Sequence, residues 1–237
     1  HAEGDGPVTS ILFLNKFHYI KGGSERVFFE EMTMLEKHGH KCIPFSRKSA
    51  HDRPSAYSDY FAPQFPLDEG FSLRSLRSAF SIIYSFDIKR HLRRLLANEN
   101  PVIAHAHNIY GLLTTSVLDV LHERGVPVVM SLHDYKIICP NYQFLHGSRI
   151  CEDCRIYRYY RAVQNGCVHG NFLYSCIYAL ESCFNGVTAK YHRRVSKFIA
   201  VSRFIKKKFV EYGYPDDQIV FIPNFVNTDL FVPSYRN

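Results

Sequence analysis

Short apolar runs alternate with amphipathic stretches along this chain. Ile11 to Leu14 is a four-residue apolar run, the pattern of a buried strand. A polar and aromatic loop follows, with Lys21-Gly22-Gly23-Ser24 at its end, and then Phe28, Met32 and Leu35 recur at i, i+4, i+7 as one face of a helix. Gly39 stands where a helix C-cap glycine belongs, and Cys42 to Phe45 is the next strand. Ser46 to Gly70 is polar, carries three Pro and reads as a long loop, a type that often serves function. Ser72 to Asn98 reads as helix in two pieces, the second with Ile88, Leu92, Leu95 and Leu96 on its apolar face. Val102 to Ala106 is a strand, Leu113 to Arg124 a helix closed by Gly125, and Val128 to Leu132 a near-continuous apolar run such as central parallel strands show. Residues 136 to 170 are irregular and Cys-rich. After them Leu173, Ile177, Leu180, Phe184, Val187 and Tyr191 hold a helical period for five turns. Phe198 to Val201, Arg203 to Tyr212 and Val220 to Ile222 complete the alternation as strand, helix, strand. Such alternation predicts an α/β fold, a parallel sheet with helices on both faces.

The totals narrow the class. At 237 residues with 46% hydrophobic composition the chain suits one large domain or two small ones and excludes wholesale disorder. Lys and Arg number 29 against 22 Asp and Glu, a net charge of +7. A basic balance fits nucleic acid, an anionic membrane face or a phosphorylated substrate, and equally mere solubility. No apolar run reaches the ~18 residues that a membrane helix needs, and no secretory signal is visible. Residues 1 to 10 read as a polar lead-in or cloning remnant outside the fold, which occupies 11 to 233. Seven Cys, five of them between Cys139 and Cys176, argue against a disulfide-stapled secreted domain and for a cytosolic protein with a local Cys site.

In open parallel sheets ligands bind outside the carboxyl ends of the strands. Those ends carry Gly22-Gly23, His105-Ala106-His107-Asn108, His133-Asp134 and Ser202. Gly22 and Gly23 let a backbone approach a ligand closely, and the free N–H groups of the helix after them suit a diphosphate. A tight turn with Ser24 as N-cap accounts for the same residues. His133, directly after a buried strand, can bond a sugar hydroxyl or move a proton, and His107 occupies the equivalent end of another strand. No G-x-S-x-G elbow, G-x-G-x-x-G fingerprint or G-x-x-x-x-G-K-[ST] loop is present, and no nucleic-acid-binding signature appears.

The segments KGGSERV, VIAHAHNIYG, SLHDYKIICPN, VSRFIKKKF and IPNFVNTDLF occur in this order over nearly the whole chain. In that register they resemble the N-terminal domain of family-four retaining glycosyltransferases of the GT-B fold. The resemblance implies one Rossmann-like half of a two-domain enzyme. It implies donor-diphosphate contact at Gly22 and Gly23 and a catalytic role near the reacting sugar for His133. It makes His107, Asn108, Tyr110, Asp134 and the loop 46–70 candidates for the acceptor. The family's sugar-nucleotide pocket and E-x7-E carboxylates belong to a C-terminal donor domain without counterpart here. The implied activity is transfer of a sugar, with retention, from a nucleotide-diphosphate donor to a glycan or lipid-linked acceptor, with no catalytic metal and with this part alone inactive. A stand-alone non-catalytic module that binds a phosphorylated or glycan ligand is the competing expectation.

Cys139, Cys151, Cys154 and Cys167 read C-x11-C-x2-C-x12-C, a spacing that can give a Cys₄ zinc site, with His146 and His169 as substitutes for one Cys. A redox pair at Cys151 and Cys154, or four reduced thiols in a flexible lid, are the alternatives. Cys42, Cys176 and Cys183 read as ordinary core or helix-face residues. Lys206–Lys208, Arg193-Arg194, and Arg90 with Arg93-Arg94 form basic clusters. They suit solvated helix faces, or peripheral attachment to an anionic inner membrane face.

Overall fold

The computed structural model describes residues 8–64 and 80–226. Residues 65–70 of the long loop, residues 72–79 of the helix expected over 72–98, most of the lead-in and the 227–233 end lie outside the described residues.

Six strands form one parallel sheet: β1 (Ser10–Leu14), β2 (Lys41–Phe45), β3 (Ile103–Ala106), β4 (Val128–Leu132), β7 (Lys197–Ala200) and β8 (Ile219–Phe221), in the order β2-β1-β3-β4-β7-β8. A two-residue pair of antiparallel strands, β5 (Leu145–His146) and β6 (Arg149–Ile150), lies apart in the Cys-rich insert. From β1 the chain turns outward to β2, then crosses back to β3 on the other side of β1. Strand order therefore reverses between β1 and β3, where parallel sheets open a crevice at their carboxyl ends. The register Leu14↔Ala106 sets the ends of these two strands level.

Alternation along the strands sorts residues to two cores. Leu12, Leu14, Ala104, Ala106, Met130, Leu132, Phe198 and Ala200 face the larger core. Ile88, Leu92 and Leu95 of α2 (Phe86–Leu95) and Val117, Leu118, Val120 and Leu121 of α3 (Ser116–Glu123) complete it. Ser85 caps α2 by accepting the N–H of Ile88 at 3.3 Å. On the opposite face Phe13 and Cys42 meet Phe28 and Met32 of α1 (Gly23–Lys37) in a smaller core. The α/β arrangement with helices on both faces is thus as expected.

Two local readings are corrected, and one loop holds more local structure than its sequence shows. The N-cap of α1 is Gly22, in extended conformation, and not Ser24; no side chain caps this helix. The loop after β2 is partly built rather than open: Ser58–Tyr60 is a 3-10 turn, and Ala62 pairs with Arg47. Buried Arg47 donates to the carbonyls of Leu112 and Pro63 at 3.0 and 2.8 Å. Finally, the five-turn helix over 173–191 is broken. It is α5 (Phe172–Val187) and α6 (Lys190–Arg194), with Ala189 between them in the left-handed region at φ 50°. Its apolar stripe also points the other way. Leu180 and Val187 are exposed, while Ser175, Ala179, Glu181, Ser182 and Asn185 are buried. Polar partners decide this: Glu181 meets Lys136 at 2.8 Å, Asn185 accepts from the Thr115 hydroxyl at 2.8 Å, and Ser175 accepts the Val168 N–H at 3.1 Å. Burying a partnered polar face is tolerated because its lost water contacts are replaced.

Candidate functional site

At the crevice the loops after β1 and β3 are tied to each other. Asn15 Oδ1 accepts the N–H of Asn108 at 3.2 Å, and the carbonyl of Asn108 accepts the N–H of Lys16 at 2.9 Å. Asn108 Nδ2 donates to Ser24 Oγ in the first turn of α1 at 2.9 Å. Asn108 is thereby a fastener of three segments. Gly22 and Gly23 are exposed at the same corner, and a Cβ on Gly23 would meet nothing within 4 Å. Crowding within this chain therefore does not require glycine at 23. The uncapped first-turn N–H groups are open to an anion, although Glu25, buried in that turn, opposes one. Lys16 balances it: burial lowers its pKa, while Asp134 and Glu25 nearby favour its charge.

Strand alternation puts His105 and His107 on one face, the face that α1 covers. Their ring centroids are 4.3 Å apart, and Phe13 and Phe28 pack around them. Glu31, three residues after Phe28 on α1, reaches in from above. Its Oε2 is 3.3 Å from His105 Nδ1 and 3.2 Å from His107 Nε2. Both Oε2 and His107 Nε2 lie off the line of a directed hydrogen bond, so the contact is one of charge proximity. The other ring nitrogens are engaged: His105 Nε2 shares a hydrogen bond with Ser131 Oγ at 2.8 Å, and His107 Nδ1 with His133 Nε2 at 2.9 Å. A carboxylate, the largely covered His105, the buried His107 and the partly covered His133 thus form one chain of contacts from α1 to the end of β4.

Burial holds the three imidazoles neutral. It takes His105 down to about 3, assisted by His107, and puts His107 well below the usual histidine range, assisted by His133. Burial lowers His133 too, against the charges of Glu31 and Glu25. The Glu31 carboxyl is raised by the same burial, and His105 and His133 oppose that. A carboxylate beside His107 Nε2 favours the tautomer with its proton there. His107 Nδ1 is then the acceptor, His133 Nε2–H donates, and His133 Nδ1 is the nitrogen left for a substrate.

The expected site residues separate on this geometry. Gly22, Gly23, His133 and Asp134 retain surface. His107 and Tyr110 are 0% and 5% exposed, and Asn108 is buried as well. Those three stand behind the surface of this domain. Asp134, raised by burial and steadied by the Lys136 N–H, Lys16 and Tyr110, lines the opening. Glu31 and Lys16 join this group without having stood among the strand-end candidates, where His105 did. The H-A-H alternation and its placing on the Phe28-Met32-Leu35 face are the signals that would have found Glu31. Among the described residues, Glu31, His105 and His107 form the one group of three or more potential ligand atoms all within 4.8 Å of one another, so a divalent cation could be held there.

The four cysteines of the insert line a common cavity of about 10 Å³. A separate groove of about 480 Å³ runs along the outer side of α1, between Arg26, Phe29, Arg53 and Phe225, and contains none of the predicted site residues. The basic clusters are largely paired: Lys208 with Glu152 and Glu211 at 2.7 and 2.8 Å, Lys206 with Asp216 at 3.0 Å, Arg93 with Glu123 at 2.7 Å and Arg90 with Asp87 at 2.6 Å. No described helix is long and apolar enough to cross a membrane.

Comparison with known proteins follows this geometry. The chain resembles a solved structure of Anabaena Alr3699/HepE in complex with UDP and glucose, at 16% identity over 94% of this chain and 46% of that one (TM-score 0.44). It also resembles the lipopolysaccharide outer core galactosyltransferase WaaB in its apo form, at 14% identity over 92% of this chain and 46% of that one (TM-score 0.46). LpCGTa in complex with UDP shares 15% identity over 95% and 56% of the two chains (TM-score 0.48). The chain thus spans about half the length of these structures. No curated protein matches it. The family model for Glycosyltransferase Family 4 matches residues 21–230, most of the chain, and the protein therefore belongs to glycosyltransferase family 4.

Proposed function

We propose that this domain is the acceptor-side half of a two-domain GT-B enzyme. The enzyme would transfer a sugar, with retention of configuration, from a nucleoside-diphosphate donor to a glycan or lipid-linked acceptor. The observation that carries the reading is His133: it ends a central strand, keeps an open face, and is backed by His107 and Glu31 beside the uncapped start of α1. In this reading the N–H groups after Gly22 and the Lys16 ammonium receive the donor diphosphate. His133 Nδ1 accepts a hydroxyl of the transferred sugar and holds it as positive charge grows at the anomeric carbon. The leaving diphosphate takes the acceptor proton on the same face, so His133 forms no covalent bond. Asp134 meets the acceptor at the cleft opening. His107 and Glu31 do not touch substrate; they hold the tautomer and angle of His133. A metal shared by Glu31, His105 and His107 would supply a positive charge behind His133, but the reading needs none. The setting is the cytoplasmic side of a membrane, reached peripherally.

The test uses the complete enzyme and a panel of nucleoside-diphosphate sugars, with soluble glycans and lipid-linked sugars in anionic vesicles as acceptors. His133→Ala should lower kcat by ~10²-fold, the scale of one lost transition-state contact, about 2.7 kcal/mol. Product NMR should show the donor's anomeric configuration. Unchanged turnover in the variant removes the role of His133, and an inverted product removes retention. Ligand binding without turnover by the complete protein would favour a non-catalytic binding module.

A further inference from the structure

We propose that Cys139, Cys151, Cys154 and Cys167 form a structural zinc site that organises the insert between β4 and α5. The proposal is independent of the sugar-transfer reading. Four separate pieces of local structure bring the cysteines together. Cys139 closes the turn that follows β4, its N–H donating to the Tyr135 carbonyl at 2.8 Å. The β5–β6 hairpin returns the chain so that the Cys151 N–H meets the Phe144 carbonyl at 2.8 Å. Cys154 lies in the next turn. Cys167 follows the short helix α4 (Tyr160–Gln164), its N–H bound to the Ala162 carbonyl at 3.0 Å. All four side chains border the cavity of about 10 Å³, whose walls are otherwise supplied mainly by Pro140, Phe144, Leu145, Ala162 and Tyr212. That volume suits an ion or one small atom and no organic ligand.

The chemistry of the cavity selects the ligand. Four cysteines bordering one small cavity, together with Asn141, Glu152 and Asp153, offer a soft sulfur set, which favours zinc over magnesium or calcium. All seven cysteines are free thiols. The four cysteines are thus not spent in a disulfide, and their thiols are available as ligands. Metal binding would displace the thiol protons, so affinity falls as pH falls. The sulfurs do not close as a set to 4.8 Å, so binding contracts the cavity around the ion.

The backbone gives a separate reason for a tie at this point. Five non-glycine residues of the insert are in the left-handed region: Tyr142, Phe144, Ile156, Tyr157 and His169, at φ between 55° and 61°. Such residues persist where surrounding structure over-determines them. The surrounding secondary structure is slight, two strands of two residues and a five-residue helix. A four-coordinate ion that links residues 139, 151, 154 and 167 supplies the missing constraint.

The test is metal analysis of the full 237-residue chain, purified without chelator and refolded with Co²⁺ in parallel. About one zinc per chain is expected, released by a thiol-specific mercurial. The cobalt form should show thiolate-to-metal charge-transfer bands in the near ultraviolet. Cys151→Ser and Cys154→Ser should each lose the metal, while Cys176→Ser, Cys183→Ser and Glu31→Gln keep it. Native metal-free protein with four alkylatable thiols, or a disulfide among these four found by mass spectrometry, overturns the proposal. So does zinc that survives Cys154→Ser or leaves with Glu31→Gln. Should the cysteine variants fail to fold, the cobalt spectrum of the unmodified chain decides by itself: absent sulfur bands reject the site.

Discussion

Acidification from pH 7.5 to 5 should destabilise this domain through histidines that it buries uncharged. Burial takes His18 down to about 4, with Arg53 adding to the effect, and His105 to about 3, with His107 adding. His107 lies well below its ordinary value of 6.5 for the same first reason. In the unfolded chain each takes up a proton near pH 6.5. Below that pH the unfolded state binds more protons than the folded one, so stability falls with pH until the folded values are reached. At 1.36 kcal/mol per pH unit and per proton, each histidine costs about 2 kcal/mol by pH 5, and the three cost about 6. Glu31 and Asp134 work in the opposite sense: both are raised by burial, take up protons earlier in the folded state, and so return part of the loss. The histidine loss is large against the 5–15 kcal/mol that a domain has, so a net fall in stability is expected. Urea midpoints followed by circular dichroism at pH 7.5, 6.5, 5.5 and 5, at constant m, would measure it. Glu123, Asp153 and Glu211 are held low by surface partners, Arg93, Arg149 and Lys208 foremost. Their contributions disappear only below about pH 4.5, a separate window. Midpoints that stay flat from pH 7.5 to 5 would refute the neutral, buried histidine cluster.

Two further outcomes follow from named contacts. Glu31→Gln in the complete enzyme should lower kcat ~10-fold with KM little changed and should shift the pH–rate profile, because it removes the charge that sets the His107 and His133 tautomers. Glu31→Asp should restore part of the rate, and an unmoved pH profile would reduce Glu31 to a packing residue. Lys136 and Glu181 are 5% and 3% exposed at 2.8 Å, and the Lys136 ammonium lies over the Tyr178 ring at 4.6 Å. Lys136→Met should cost about 3–5 kcal/mol in chemical denaturation by stranding the Glu181 charge, whereas Lys136→Met with Glu181→Leu should recover most of it. Equal losses in the single and double variants would contradict that account.

The sheet could be read from the chain because each strand is an apolar run bounded by polar turns and each parallel pair is separated by helical or loop sequence. The resulting edge brought Gly22-Gly23, His107 and His133 to one end correctly. What could not be read was depth. His107 and His133 both follow strands, but only the packing of Phe13, Phe28 and Glu31 shows that one is sealed and the other open. The burial of Asn108 and Tyr110 was hidden for the same reason, since loop residues at a strand end look exposed until the next loop folds over them. The face of α5 was misread on a different ground. Hydrophobic periodicity assumes that the buried side is the apolar side, and here Lys136, Thr115 and Val168 supply distant partners for Glu181, Asn185 and Ser175. Periodicity contains no information on partners so far away in the chain.

The loop from His133 to Cys139 joins the two centres of this domain. Asp134 Oδ1 accepts the Lys136 N–H at 2.9 Å, the Tyr135 carbonyl accepts the N–H groups of Ile138 and Cys139 at 2.9 and 2.8 Å, and the Tyr135 N–H donates to the Tyr142 carbonyl at 3.2 Å. Each bond closes a turn, so little slack separates the histidine from the cysteine. Lys136 fastens the middle of the loop to α5, and Glu31 and His107 fasten its start to α1 and β3. His133 is thus held from behind by a carboxylate and an imidazole and from the chain side by the insert. A single side chain on a mobile loop would spend binding energy on its own ordering. Here that ordering is done on folding, which is what the proposed sugar contact of His133 requires. The insert, remote from the crevice in function, is in this way part of what keeps the site in register.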